Sequence, residues 1–491
     1  MKFFKKNTHI AILLLCVTCT SCKVFAPLKK KWDDTQKDLV PVPTLNDKPI
    51  PTAYTNNTDT TNIGSIKWSE FFADKNLTEL IDSALKNNYE VLMNLQEIEI
   101  AKNAIQIKHS RILPNVSVGG AIGYEKVGIY TSQGAGDASA EITPGHKVPE
   151  FLGDYFLGAR ASWEVDVWHK LRNAKKAAIT HYLATIEGKN FLLTSIVAEI
   201  ANSYYELLSL DNQLDIIRET IRLQNNALEI VRVQKEAARA TELAVKKFEA
   251  EVLNSQSLEF DILQKIKEAE NRINSLLGRY PQPIVRDKGS FNTQLPQRIK
   301  EGIPAQLLNN RPDIKQAELE LFVTDCNVKI AKAEFFPSVG LTGAFGLQAF
   351  KPRYLVSIPK SVLFGLAGDV AGPIINRTAI KMEFNNAKAE QLMALYNYQK
   401  AILAGYMEVN TELSNIQNLE KFYDIKNKEV ETLVKAIDVS NDLFKSARAD
   451  YFEVLMTQRD ALESKLELIE AKKRQFMAVI NVYRALGGGW R

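Results

Sequence analysis

Pro114-Asn-Val-Ser-Val-Gly-Gly-Ala-Ile-Gly123 and Pro337-Ser-Val-Gly-Leu-Thr-Gly-Ala-Phe-Gly346 carry one pattern twice, 223 residues apart. After each proline the apolar residues fall on alternate positions, as in a strand with one apolar face. Before each proline they fall at helical spacing, and residues 81–124 overlay residues 304–347 without a gap. Leu85 then meets Leu308, Asn87 meets Asn310, Val91 meets Ile314 and Ile98 meets Leu321. Proline fixes φ, lacks an amide hydrogen and disfavours helix in the residue before it. Pro114 and Pro337 are therefore read as helix-to-strand junctions.

After Pro114, Val116, Val118, Ile122 and Tyr124 share one strand face, and Asn115, Ser117, Gly119 and Ala121 the other. A polar stretch over 125–154, rich in glycine, reads as a long exposed loop. Alternation returns at Ala161, Trp163, Val165 and Val167, interleaved with Ser162, Glu164 and Asp166, as a second strand antiparallel to the first. The copy repeats this with Val339, Leu341, Phe345 and Leu347, a loop holding Pro352 and Pro359, then Leu366, Val370 and Ile374. Two hairpins are too few to close a barrel. A strand pair with one apolar face and open edges needs other chains to complete it.

The spacing predicts one helix over 77–113 and a much longer one over 171–238, which has no proline and only Gly188. Leu207, Leu210, Leu214, Ile217, Ile221, Leu228 and Val231 keep a coiled-coil seam that Gln224 interrupts. At about 1.5 Å per residue this helix is roughly 100 Å long, more than a globular domain needs. The pattern pauses at 236–242 and returns to Gly278. The second copy runs from 378 to 444, pauses at 445–451 and returns to Leu486, with Ala-Arg-Ala at 238–240 overlaying Ala-Arg-Ala at 447–449. Residues 280–304 connect the copies without helical pattern.

The chain has 491 residues, 45% of them hydrophobic, and a net charge of +4, which gives no nucleic-acid footprint. Lys2, Lys5 and Lys6 precede an apolar run over 10–17, an export signal too short to span a membrane. Proline-rich sequence over 24–61 reads as an extended tether. If the signal is removed before Cys22, Cys326 is the one other cysteine, so no intrachain disulfide framework forms. The five histidines are scattered and no phosphate-cradling glycine loop appears, so no catalytic residue, cofactor or metal site is assigned.

Thr20-Ser21-Cys22 resembles the lipobox of bacterial lipoproteins, which implies acylation of Cys22; Cys16 and Cys19 are rival sites with poorer preceding residues. Lys23 after it favours passage to the outer membrane. The run Gly302-Ile-Pro-Ala-Gln-Leu-Leu-Asn-Asn-Arg-Pro-Asp-Ile-Lys-Gln-Ala-Glu318, then Ala333-Glu-Phe-Phe-Pro-Ser-Val-Gly-Leu-Thr-Gly343 and Tyr483-Arg-Ala-Leu-Gly-Gly-Gly-Trp490, resembles outer-membrane efflux channels of the TolC/OprM type, NodT lipoprotein subfamily.

That resemblance implies a mixed α and β fold: a long antiparallel α-helical barrel in the periplasm, and a transmembrane β-barrel closed by trimerisation with four strands per chain. It divides the chain into a signal peptide (1–21), a lipid-anchored tether (22–67) and two channel repeats (68–300 and 301–491). Val116, Val118, Trp163, Val165, Val167, Leu341, Phe345 and Val370 would then meet lipid, with Glu164 and Asp166 towards the lumen. Short elements around 71–77, 280–304 and the tail from Gly487 are candidates for a belt midway along the helices.

The implied function is the outer-membrane channel of a tripartite efflux pump, a passive conduit for drugs or other small solutes. The implied partners are two further copies of the chain, a periplasmic membrane-fusion adaptor, an inner-membrane resistance-nodulation-division transporter and outer-membrane lipid. The adaptor would dock on the turns Ala238, Arg239, Thr241, Glu242 and Ala447, Arg448, Asp450, Tyr451; the alanines at 238 and 447 stand where the family usually has glycine. Asp438 and Asp442, four apart, would form like-charge rings at a periplasmic gate. An exit duct for type I protein secretion shares this architecture. A lipoprotein scaffold without a pore leaves the alternating strands unexplained.

Overall fold

The computed structural model describes residues 51–54, 61–292, 301–372, 377–446 and 448–491. The chain is mostly helical, with one four-stranded antiparallel sheet. Its elements in order are α1 (Lys75–Asn87), α2 (Tyr89–Ser110), β1 (Asn115–Glu125), α3 (Ser132–Ser139), β2 (Glu141–Thr143), β3 (His146–Lys147), β4 (Leu152–Glu164), α4 (Lys170–Glu236), α5 (Glu242–Leu276), α6 (Pro312–Ala333), β5 (Ser338–Ala349), β6 (Val362–Ala371), α7 (Arg377–Lys445) and α8 (Tyr451–Ala485). Helices α2 and α6 have 22 residues each and start 223 apart. Helices α5 and α8 have 35 each and start 209 apart.

The single helix expected over 77–113 is broken at Asn88. That residue ends α1, and its side chain accepts the amides of Glu90 (2.8 Å) and Val91 (3.2 Å) to start α2. Such an Asn offers the backbone a competing partner and so favours a helix start. Arg311 holds the matching place before Pro312, which opens α6. Helices α2 and α6 then stop short of the prolines. Their last turn is closed by Leu113 N to Ser110 O (3.1 Å) and Phe336 N to Ala333 O (3.1 Å). Pro114 and Pro337 thus mark where the strand begins; the helix has already unwound, because the residue before proline avoids the helical region. The loop expected over 125–154 is also more regular, holding α3 and the β2–β3 hairpin.

Helix α4 is the hub, with α1, α2, α5, α6 and α8 packed on it, while α7 packs on α6 and α8. The seam residues Leu207, Leu214, Ile217, Leu228 and Val231 are buried, and Gln224 is buried with them at 1% exposure. Helices α2 and α5 lie end to end on one flank of α4, and α6 and α8 lie end to end between α4 and α7. With 67 and 69 residues, α4 and α7 are each roughly 100 Å long. Two shorter helices in line are needed to match them.

Both end-to-end joints are built alike. Gly278 and Gly487 sit at φ 63° and 87°, and a Cβ on either would fall 2.5 Å from the carbonyl oxygen of Asn87 or Asn310. Asn88 Nδ2 donates to the Leu276 carbonyl (2.9 Å), and Arg311 Nη1 donates to the Ala485 carbonyl (2.8 Å). The last carbonyls of α5 and α8 are thereby satisfied by the residue that opens the next helix in line.

An arginine serves each joint, half-buried Arg286 at one and buried Arg311 at the other. Arg286 reaches Asp211 on α4 (2.5 and 3.0 Å) and Glu270 on α5 (2.8 Å). Arg311 clasps Asp313 (3.0 and 2.8 Å) and reaches Glu408 on α7 (2.8 Å). Burial opposes the charge on Arg311, and the two acids more than offset it, so its pKa is raised. All three belt candidates pack at this level: Phe71 stacks on Tyr483 at 4.0 Å, Arg286 lies in the 280–304 connection, and the Trp490 indole donates to the Asn310 carbonyl (3.3 Å). The described parts of the 22–67 stretch also lie here, with Tyr54 stacked on Tyr406 and the Tyr483 hydroxyl donating to Ile66 O (2.7 Å).

The four strands run in the order β1-β4-β5-β6, each pair antiparallel. Register aligns Val118 with Ala159, Phe345 and Phe364, and Ala161 with Val116, Gly343 and Leu366, making one apolar face. The opposite face carries Ser117, Arg160, Ser162, Glu164, Thr342 and Asp369. The apolar face is bare within the chain, with Val118 82% and Phe364 74% exposed.

Strand β4 begins earlier than expected and is regular to Glu164; the Val165 amide still donates to the Val339 carbonyl of β5 (2.8 Å), and the chain turns away from the sheet before Val167. The Val167 amide turns back onto the Val165 carbonyl (2.8 Å), which throws Asp166 towards α4 instead of the polar strand face. Ile374 lies outside the described residues, as do the signal peptide and Cys22.

Arg311→Ala should lower stability by roughly 3–5 kcal/mol, because two acids lose their buried cation. A thermal unfolding midpoint indistinguishable from that of an exposed control, Arg222→Ala, would show that the α6–α8 joint does not depend on this residue.

Candidate functional site

The two helical turns lie side by side at the far end of the bundle from the sheet. Leu228, Val231, Val245, Phe248 and Leu455 form one buried cluster there, with Phe444 and Tyr451 packed against it, so residues of both hairpins share a core. The Lys247 ammonium also sits 5.2 Å over the Phe452 ring across the two hairpins.

Both turns close with the same bond. Arg239 N donates to Gln234 O (2.8 Å), and Arg448 N donates to Leu443 O (2.9 Å). In the first turn Ala238 N also reaches Lys235 O, completing a Schellman ending that requires a left-handed residue. Ala238 takes that conformation at φ 60°, although it carries a Cβ. Ala447 lies outside the described residues.

The remaining tip residues divide by role. Thr241 caps α5 by accepting the Ala244 amide (3.2 Å). Glu242 is clasped by Lys235 from the last turn of α4, and that bond holds its carboxyl below the usual range. Asp450 stands at the start of α8 without a side-chain cap bond. Arg239 and Arg448 are exposed, and among the described residues their guanidinium groups make no hydrogen bond or ion pair. Neither is neutralised by Glu242 or Asp450. These two arginines are therefore open donors on a stiff support.

Asp438 and Asp442 are exposed on α7, one turn apart and close to the second tip. Val439 and Leu443 beside them are 58% and 38% exposed, so the chain itself does not cover this surface.

At the opposite end the structure assigns roles the sequence left unread. The Trp168 indole donates to the Pro337 carbonyl (2.7 Å) and stacks on Phe336 at 4.7 Å. The Trp163 indole donates to the Ile112 carbonyl (2.9 Å), two residues before Pro114. Each proline junction is thus tied to the opposite side of the β4–α4 turn. Asp166 accepts the amides of Leu171 (3.0 Å) and Arg172 (2.9 Å), capping α4, and its side chain is 4% exposed. It is a helix cap and not a lumen acid. The one available signal was an Asp four residues before a long helical run, preceded by strand alternation.

Among the described residues no group of His, Cys, Asp and Glu is placed to hold a metal ion, and no helix is long and apolar enough to cross a membrane. Cys326 is buried at 2% exposure, and burial pushes its thiol above the ordinary range.

The sequence profile of the family described as outer membrane efflux protein matches residues 80–279 and 303–488. The chain is 24% identical over 426 residues to the pyoverdine export outer membrane protein OpmQ of Pseudomonas aeruginosa, covering 87% of this chain and 88% of that one. It is 25% identical over 505 residues to the toluene efflux pump outer membrane protein TtgF of Pseudomonas putida, covering 99% and 97%. A crystal structure of a membrane protein from Pseudomonas aeruginosa superposes with a TM-score of 0.80 at 22% identity, over 89% of this chain and 98% of that one. The profile match takes in both halves of the chain, from α1 to the tail: this protein belongs to the outer membrane efflux protein family.

Proposed function

We propose that this chain is the outer-membrane channel of a tripartite efflux pump, a passive conduit formed by three copies. The observation that carries the reading is that each chain is unfinished on two flanks. On one flank β1 has a free edge, and the helix before it, α2, exposes Tyr89, Met93, Ile100 and Ile107 at helical spacing. On the other flank β6 has a free edge, and α7 after it exposes Met393, Tyr396, Leu403, Met407 and Ile425. Open strand edges and apolar helix faces on both flanks suit a head-to-tail interface that closes into a ring. Three copies of four strands would give a twelve-stranded barrel with the apolar face outward and the polar face lining a lumen.

The tips supply the second part of the proposal. Arg239 and Arg448 are the contacts for a periplasmic adaptor, which couples the duct to an inner-membrane transporter of the resistance-nodulation-division type. Asp438 and Asp442 form the gate when three α7 helices converge. Acylation of Cys22 anchors the tether in the outer membrane. The relatives' names, pyoverdine export and toluene efflux, differ in cargo. Recognition of the individual cargo is accordingly assigned to the transporter, which leaves to the duct at most a coarse sorting by charge.

Purified protein in a planar bilayer should conduct and should run as a trimer after cross-linking; trimers that conduct nothing would sink the channel reading. The Arg239→Glu, Arg448→Glu double variant should weaken adaptor binding by roughly tenfold and restore drug susceptibility, with assembly unchanged. Wild-type binding by that variant would move the docking site elsewhere. Asp438→Ala and Asp442→Ala should raise open probability or change cation preference, and a single-channel record matching wild type would remove them from the gate.

A further inference from the structure

The channel reading leaves one charge without a task. Register places Arg160 at mid-length on the polar face of the sheet, in a row with Ser117, Ala344 and Gly365. The rows on either side of it contain no charged residue on that face. Acids stand nearer the ends: Asp154 beside Gln348 at one, Glu164 and Asp369 at the other. Among the described residues Arg160 is the sole basic side chain on this face of the four strands.

Its position is fixed from beneath. Gly158 and Gly346 approach so closely that a Cβ on Gly158 would lie 2.5 Å from the Gly346 Cα and 3.0 Å from the Phe156 ring. Phe156 therefore lies down over this glycine floor and is buried at 7% exposure, on a sheet whose other residues are largely bare. The Arg160 guanidinium stacks on that ring, 4.6 Å from its centre. Among the described residues the guanidinium makes no hydrogen bond or ion pair, so its donors are open to whatever passes.

We propose that Arg160 is the charge-selecting residue of the strand-built part of the duct, a mid-depth station for solutes bearing carboxylate or sulfonate groups. The inference rests on the channel reading, in which three copies bring three such cations around one lumen between rings of acid. A stacked, unpaired guanidinium attracts anions and repels cations. Its reach is set by screening, about 10 Å at 0.1 M salt and about 30 Å at 0.01 M. Selection should therefore sharpen as salt falls.

The test is the reversal potential of the full-length protein in planar bilayers under a KCl gradient, at high and low mean salt. Arg160→Gln should lower the chloride-to-potassium permeability ratio by about twofold and Arg160→Glu should lower it further, most clearly at low salt. Arg160→Lys should retain the ratio, since it retains the charge. Phe156→Leu, which removes the support and keeps the charge, should fall between wild type and Arg160→Gln. One ratio shared by wild type, Arg160→Gln and Arg160→Glu in conducting channels overturns this inference and leaves the channel reading intact. Wild-type protein that does not conduct overturns both.

Discussion

The architecture depends on satisfying the carbonyls at the ends of α5 and α8. A helix end buried in a bundle is costly unless its last oxygens find donors. Here the donor is the residue that opens the next helix in line, Asn88 for α5 and Arg311 for α8. Two helices of 35 and 22 residues thereby serve as one column beside a partner of 67 or 69. Glycine at 278 and 487 is required by the same contact, on grounds of both φ and space. The Arg-Pro-Asp of the motif at 311–313 has a physical reading in these terms. Arginine caps one helix, proline opens another, and aspartate holds the arginine in the fork geometry that lysine cannot reproduce.

Periodicity made the long elements legible. The helix expected over 171–238 is found at Lys170–Glu236, and the pauses at 236–242 and 445–451 are the two turns. What periodicity missed were places where one residue does two jobs. Asn88 ends one helix and starts another without disturbing the apolar spacing around it, so the stretch read as continuous. Asp166 continues a strand alternation in sequence while belonging to a helix start in space. Val167 continues the same alternation, although the backbone has already turned back on Val165. Alternation records side-chain polarity and not the tight turn that ends the strand.

At the tips, residue types were legible and roles were not. Six of the seven described tip positions carry side chains capable of contact, yet Thr241 and Glu242 are occupied in holding the turn together. Arg239 and Arg448 differ from them in having no side-chain partner among the described residues, which a sequence does not record. The pairing of Trp163 and Trp168 with backbone near the two prolines is likewise a long-range fact, linking positions 51 and 169 residues apart. The residues at the junctions were visible, and the tethers between them were not.

The shared apolar cluster beneath both turns has a mechanical consequence. Because Leu455 packs with Val245 and Phe248, a load applied to one turn is carried by the other as well. Neither loop can be bent alone without opening the same buried surface. A partner gripping either arginine thus holds the whole end of the subunit, and displacement there becomes tilt of four helices together rather than fraying of two.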